Sequence, residues 1–525
     1  MEWTAVTNEK DDSHPVGLSK TGHRRPLLER TLPFVVFGVL WYMLIAHLSQ
    51  HWISNAQYNF GWLVPAACVY LFLMRWRTRP PAQTAHSAIA SWVFWGAGFG
   101  LLPTWLIAQA NPDWRLIGWL LAIEIVALSL CAIYLLGGRS WLGHFAFSIC
   151  FIFLSVPWPD AAEGFVIQGL TQAAAGVTVA TLNLFHIAAV QHGNLIEVRT
   201  GMLGIDEACS GIRSLQATIV VSLFLGELYG ASVLRRIAVV VGGALIAFLC
   251  NVGRTFVLGA VAAKDGVESI STWHDPLGFA VLFICVLLVW GCARLISGSP
   301  GTLLHSKAAP ARAFPARLAL GLGAWVLLTI VGTEFWYRRN ETGGKPQWSV
   351  TWPADKMDFS EVKLSELEAS SLACDEKRAA EWTNADGSHW TAYFFTWAEG
   401  PTRSRILARM HRPENCLPAA GYKLREDRGA ITVEAKNLLI PFHVLDFENA
   451  GEKVYVFFCL WENRSKQPDR PRVQDKWTRF ARLESVLLGD RNLGQQVLEI
   501  VVSGYDKPEE AEAALRKEIA AMVQT

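Results

Sequence analysis

The chain has 525 residues, of which 52% are hydrophobic and 18% charged, with 23 Trp and a mean hydropathy of +0.25. That excludes a wholly soluble protein, whose surface must be covered by charged residues. A formal net charge of +1 gives no electrostatic support to a nucleic-acid partner. Charge is sparse from Thr31 to Trp336 and common from Tyr337 onward, which divides the chain into a membrane region and a soluble one.

Met1 to Arg30 is polar and ends in basic residues. It reads as a cytoplasmic tail (residues 1–31) without a cleavable signal. A helix needs about 20 residues to cross a ~30 Å core. Apolar runs of suitable length lie near 32–49, 59–75, 88–109, 115–137, 142–157, 216–233, 237–262, 276–296 and 316–336. The expectation is a polytopic α-helical membrane domain of about nine spans. With the N-terminus inside, Arg75, Arg77, Arg79, Arg139, Arg235, Arg236, Lys307, Arg312 and Arg317 fall in inner loops. The outer loops at 50–58 and 110–114 hold no Lys or Arg, as the positive-inside rule requires. Ala161 to Val190 is apolar, but counting it as a span would reverse every later loop, so it is expected as an outer-surface or re-entrant helix. Asn194 to Met202, with Leu195-Ile196-Glu197-Val198, suggests a short extended piece.

Residues 298–315 form a Gly/Pro/Ala/Ser-rich cytoplasmic linker, and 316–336 the last span. Residues 337–525 are expected to be a soluble α+β domain on the outer side. Strands are expected at His389–Trp397, Ile431–Ala435, Leu438–Asp446, Lys453–Trp461 and Val497–Ser503. A helix is expected over Asp506–Met522, with Pro508 and acidic residues at its start.

Of ten cysteines, most sit in apolar runs, where Cys acts as a small hydrophobe, and no CxxC pair occurs. Cys209 differs. Asp206 and Glu207 precede it, Ser210 and Gly211 follow, and Arg213 is four residues on. Gly211 permits a tight turn, and a nearby cation or helix N-terminus favours a thiolate nucleophile. The plain alternative is a small buried residue. Arg254 lies in the apolar run Phe248–Leu258, where a charge marks a cavity or a bundle interior unless it snorkels to the headgroups. Asn251 shares its helix face. Fixed charge and several donors suit Arg254 to an oxyanion. His274 is expected in the outer loop before the eighth span. A near-neutral imidazole there can take a thiol proton and protonate a leaving amine, whereas most loop histidines are plain surface residues. This topology brings Cys209, Arg254 and His274 to one membrane level.

Glu207 to Leu215, Asn251-Val252-Gly253-Arg254, and Trp273-His274 with Gly278 resemble the signature segments of the exosortase/archaeosortase family, and Gln57 to Pro65 resembles that family's lead-in to the second span. The resemblance covers roughly residues 33–297, making 32–297 the catalytic domain. It implies a multi-pass inner-membrane cysteine transpeptidase that cleaves a PEP-CTERM-type signal: short motif, transmembrane helix, basic tail. Its partners would be exported proteins bearing that signal, an envelope acceptor and membrane lipid. By matching position, Cys209 is the nucleophile, with Arg254 and His274 as its partners, and neither a metal nor a cofactor is implied. His411-Arg412-Pro413-Glu414-Asn415-Cys416 resembles the companion protein of exosortase and exopolysaccharide clusters. His411 and Cys416 are candidates for a second reactive pair or a metal site, against a structural turn. Cys374, Cys416 and Cys459 face an oxidising compartment in this topology, so a disulfide can form. Two rivals remain open at this point: an exopolysaccharide polymerase or export subunit in which Arg254 binds an anionic substrate, and a non-catalytic envelope scaffold.

Overall fold

The structure is a computed structural model. It describes residues 27–83, 87–204, 211–297, 313–340, 348–364, 372, 374–398, 406–409, 412–414, 417, 422–449, 451–463, 479–491 and 493–524. The tail before residue 27 and most of the 298–315 linker lie outside these residues.

The apolar half is helical, with α1 (Leu27–Ser54), α2 (Leu63–Arg77), α3 (Ala88–Ala110), α4 (Arg115–Cys150), α5 (Asp160–Leu184), α6 (Ile212–Leu228), α7 (Val233–Asp265), α8 (Ile270–Ser297) and α9 (Ala316–Asn340). A 3-10 helix at Ala56–Trp62 joins α1 to α2. Among the described residues, seven helices are long and apolar enough to cross a membrane, which makes this a multi-pass membrane protein. The count differs from the expected nine for three reasons. α2 and α6 have only 15 and 17 residues, short of the roughly 20 that a span needs. The expected pair 115–137 and 142–157 falls in one stretch, Arg115–Ser155, although Gly138 breaks its helix with a φ of 77°. α5 is one of the seven.

Buried ion pairs fix the two ends of the bundle. At one end, the Glu163 carboxylate of α5 accepts from Gln57, Tyr58 and Arg115, and the Tyr58 hydroxyl accepts from the Trp158 N–H at 2.9 Å. At the other, Glu227 at the end of α6 pairs with Arg75 of α2 and with Arg236 of α7 at 2.6 Å. From its Glu163 anchor, α5 runs to α7. A Cβ on Gly259 would meet Leu182 at 3.0 Å, and the Phe185 and Phe256 rings lie 5.3 Å apart. An antiparallel sheet of β1 (Ala189–His192), β2 (Leu195–Val198) and β3 (Gly201–Gly204) follows α5. It buries Ile196, Val198 and Leu203 with Leu258 and Ala262 of α7, and the Thr200 hydroxyl donates to the Ala262 carbonyl at 2.7 Å. The single extended piece expected over 194–202 is thus the middle strand, a turn and the start of β3.

The C-terminal region adds β4 (Ser349–Val350), β5 (Met357–Glu361), β6 (Glu376–Thr383), β7 (His389–Trp397), β8 (Lys423–Ala435), β9 (Leu438–Asn449), β10 (Glu452–Glu462), α10 (Arg479–Leu488), β11 (Gln495–Ser503), α11 (Pro508–Met522) and β12 (Val523–Gln524). Seven strands form one antiparallel sheet, in the order β5-β6-β7-β11-β10-β9-β8. Ala511, Leu515 and Ile519 of α11 share a core with Trp382, Trp390, Phe394, Phe457 and Leu498. Alternation along the strands sends Phe395, Trp397, Phe458 and Val497 into a second cluster with Ala408. The five expected strands all fall within β7 to β11. Cys374 and Cys459 are both free thiols, and burial pushes the Cys459 thiol well up. Cys416 lies outside the described residues.

The two halves meet at the loop between α3 and α4. Asp113 accepts from Arg409 and, at 2.8 Å, from Arg482 of α10. Arg409 also reaches Glu462 at 2.9 Å, and Arg491 reaches Glu334 of α9 at 2.7 Å. The Asn111 amide donates to the Arg482 carbonyl at 2.9 Å. Burial alone would raise the Asp113 carboxyl, but the two guanidiniums outweigh it and hold that carboxyl well below the usual range.

Candidate active site

α7 buries a stripe at Val239, Gly243, Ala247, Asn251, Arg254, Leu258 and Ala262, the spacing of a single helix face. Two members of this stripe are polar. Asn251 is 2% exposed and Arg254 8%, so both side chains point into the bundle.

Across from Arg254 lies α8. Its Nη2 is 2.9 Å from His274 Nε2 and donates to the His274 carbonyl at 3.3 Å. Gly278, one turn further along α8, lies beside the pair: a Cβ there would sit 3.5 Å from the same nitrogen, at ordinary van der Waals contact. A guanidinium only donates, so Nε2 must accept. The ring is then the neutral tautomer, with its hydrogen on Nδ1. His274 was expected in the outer loop before the eighth span. In the structure α8 begins at Ile270 and His274 lies in its second turn. Pro276 therefore lies inside α8, beyond the four N–H groups that lack a helical partner, and takes one hydrogen bond out of the ladder there.

Gly211 supplies the third wall. It begins α6 with a left-handed φ of 80°, a conformation that Cβ disfavours. A Cβ would also lie 2.7 Å from Asn251 Cγ. Gly211 is therefore pressed onto α7 at Asn251, one turn from Arg254. The Ser214 hydroxyl donates to the Gly211 carbonyl at 2.9 Å, closing this first turn. Arg213 is exposed in the same turn. Cys209 and Ser210 lie outside the described residues, as do His411 and Cys416. The structure thus brings together Gly211, Asn251, Arg254 and His274.

Arg254 is about 27 Å along α7 from Arg236, at 1.5 Å per residue, which separates it from the Glu227 cluster. Among the described residues, no three His, Cys, Asp or Glu side chains gather as a metal site. The sequence reading missed Glu163, the anchor of α5. A carboxylate near the start of an apolar run, just after Pro157-Trp158-Pro159, was the signal available for it.

The family model of the transmembrane exosortases matches residues 52–291. That span contains Gly211, Asn251, Arg254 and His274 and ends before α9. No curated protein and no solved structure matches the chain.

Proposed function

Because residues 52–291 belong to the transmembrane exosortase family, we propose that this protein is a membrane cysteine transpeptidase acting on exported proteins with a PEP-CTERM-type C-terminal signal. The observation that carries the reading is the 2.9 Å contact between Arg254 and His274, one helical turn from the Asn251 that receives Gly211. Cys209 is two residues before Gly211, and two residues of chain reach about 7 Å at most. A thiol, an imidazole and a guanidinium are the groups that acyl transfer needs.

In this reading nine segments cross a bacterial inner membrane: α1, α2 lengthened by the 3-10 helix that leads into it, α3, the two parts of α4, α6 at the short end of the spanning range, and α7 to α9. The N-terminus is cytoplasmic and the C-terminal region a periplasmic exosortase-associated domain. α5 belongs to the outer side. The basic residues Arg75 and Arg236 gather at the end away from Asp113 and the C-terminal domain, as the positive-inside rule would have it.

The substrate's terminal helix lies in the bilayer with its motif beside Cys209. The guanidinium turns from His274 Nε2 toward the scissile carbonyl, and the freed Nε2 takes the thiol proton. The thiolate adds to the carbonyl carbon, and the oxygen that gains the electron pair is held by Arg254, with Arg213 beside it. The C–N bond then breaks, His274 returns the proton to the departing amine, and a thioester remains on Cys209. An amine or hydroxyl acceptor of the envelope, or water, gives its proton to His274 as it attacks the thioester, and the Cys209 thiol is restored.

The test is co-expression with a tagged protein bearing a motif, helix and basic tail. Wild-type enzyme is compared on a blot with Cys209→Ala, Cys209→Ser and Cys416→Ala. Processing should vanish in both Cys209 variants and persist in Cys416→Ala. Processing that survives Cys209→Ala would overturn the nucleophile assignment. If Arg254→Ala alone then abolishes function, binding of an anionic exopolysaccharide substrate becomes the better reading.

A further inference from the structure

We propose that α10 is an interfacial lipid-binding helix, which seats the C-terminal domain in the headgroup region of the bilayer. The inference is independent of the transpeptidase reading and uses none of its residues.

α10 is amphipathic in the inverse sense to an ordinary surface helix. Two polar residues of its middle, Arg482 and Ser485, face the protein. Ser485 is fully buried, and its hydroxyl accepts from the Asn111 amide at 3.3 Å. Arg482 reaches Asp113 at 2.8 Å, and its guanidinium lies 5.3 Å above the Trp114 ring. These contacts fix the rotation of the helix. Its apolar residues consequently face outward, with Phe480 77% and Leu487 74% exposed and Leu483 between them. The i, i+3, i+7 spacing makes them one stripe. In water such a face would be unfavourable; in an acyl-chain boundary it is stabilising.

The height of α10 is set by α9. Outward-facing Leu327, Leu328, Val331 and Phe335 give way to Trp336 and then to Arg338 and Arg339. Apolar, then aromatic, then basic is the order met on leaving a bilayer core. The Trp336 indole N–H donates to the Val486 carbonyl at 2.9 Å, so α10 is bonded at that transition. Arg479, at its first position, is exposed beside the stripe, which suits an anionic headgroup.

The test uses the full-length protein in nanodiscs of phosphatidylcholine with phosphatidylglycerol. Photoreactive p-benzoylphenylalanine replaces Leu487, Phe480 or, as a distant control, the exposed Glu361 of β5, one at a time. Intact mass after illumination should show phospholipid adducts at 480 and 487, several-fold above 361. Adducts no more frequent than at Glu361, or crosslinks only to the 464–478 segment or to a second copy of the chain, would overturn the proposal. Two α10 positions are probed so that poor incorporation at one leaves the other to decide.

Discussion

The α3–α4 corner and the α7–α8 wall both bury an arginine, and they give it different company. In the corner, Arg409 lies between the carboxylates of Asp113 and Glu462, and Asp113 also holds Arg482. On the wall, Arg254 meets the imidazole nitrogen and the backbone carbonyl of His274. A buried guanidinium–carboxylate cluster is a lock, because removing one partner leaves an uncompensated charge away from water. The Arg254–His274 contact joins α7 to α8 beside Gly211, and it is the pair to which the proposed function assigns the chemistry, whereas the corner holds the two halves together.

The sharpest way to break that contrast is at Arg254. Arg254→Ala should lower the processing rate by about 10²–10³-fold, as for loss of an oxyanion donor, while thermal unfolding shows an intact fold. Arg254→Lys should be nearly as poor, since one ammonium cannot present two donors in the geometry of a guanidinium. A lysine variant with wild-type rate would make the charge alone sufficient. Next is Gly211→Ala, where a left-handed φ costs about 1–2 kcal/mol and the clash with Asn251 about 1–3 kcal/mol more. Processing should fall by at least about tenfold. Asn251→Ala in the same chain should relieve the clash and restore part of the folding stability, read as Tm.

At the corner, Asp113→Asn should weaken the fit of the C-terminal domain by about 3–5 kcal/mol, the cost of unpairing a buried ion pair. Faster trypsin cleavage of that domain is the readout, with less effect on processing than Arg254→Ala. The pH dependence sharpens the same point. The Asp113 carboxyl is depressed in the folded state, so its contribution is fully present above the ordinary aspartate range. It is lost only as pH falls below that range toward the depressed value. Docking followed by proteolysis should be flat from about pH 5 to 8. The smallest effect concerns Glu499 of β11, set between Tyr393 and Phe458 of neighbouring strands. Burial, with a smaller contribution from Glu414, pushes its carboxyl up to about 7. The folded domain then keeps a proton that the unfolded chain has released, so stability declines as pH rises from the ordinary glutamate value toward 7. Glu499→Gln should flatten that slope by a few degrees of Tm between pH 5.5 and 8, about what 1 kcal/mol shifts.

Much of this was legible in the sequence where apolar runs are long. α3, α7 and α9 start and end within a few residues of the expected runs, and the break at Gly138 separates the two runs expected on either side of Arg139. The Asn251/Arg254 face follows from helical periodicity alone. Other features lacked such a signal. β1 and β3 have four residues each, short for alternation to register beside the extended piece expected around β2. β5 forms a sheet edge with β6 next to it, and both carry charge, which hides the apolar pattern. α10 escaped because its polar side is the buried one. Asp113 and Arg409 are 296 positions apart, and nothing local in either segment announces the other.

The length of α7 has a further meaning. At 33 residues it measures about 50 Å, against a hydrocarbon core of ~30 Å. Arg254 lies about 32 Å from its first residue by the same rise, close to the thickness of that core. In the proposed arrangement, where α7 begins at the inner face, bilayer thickness would act as a depth setting for the guanidinium, and longer acyl chains would submerge the whole Arg254–His274 pair.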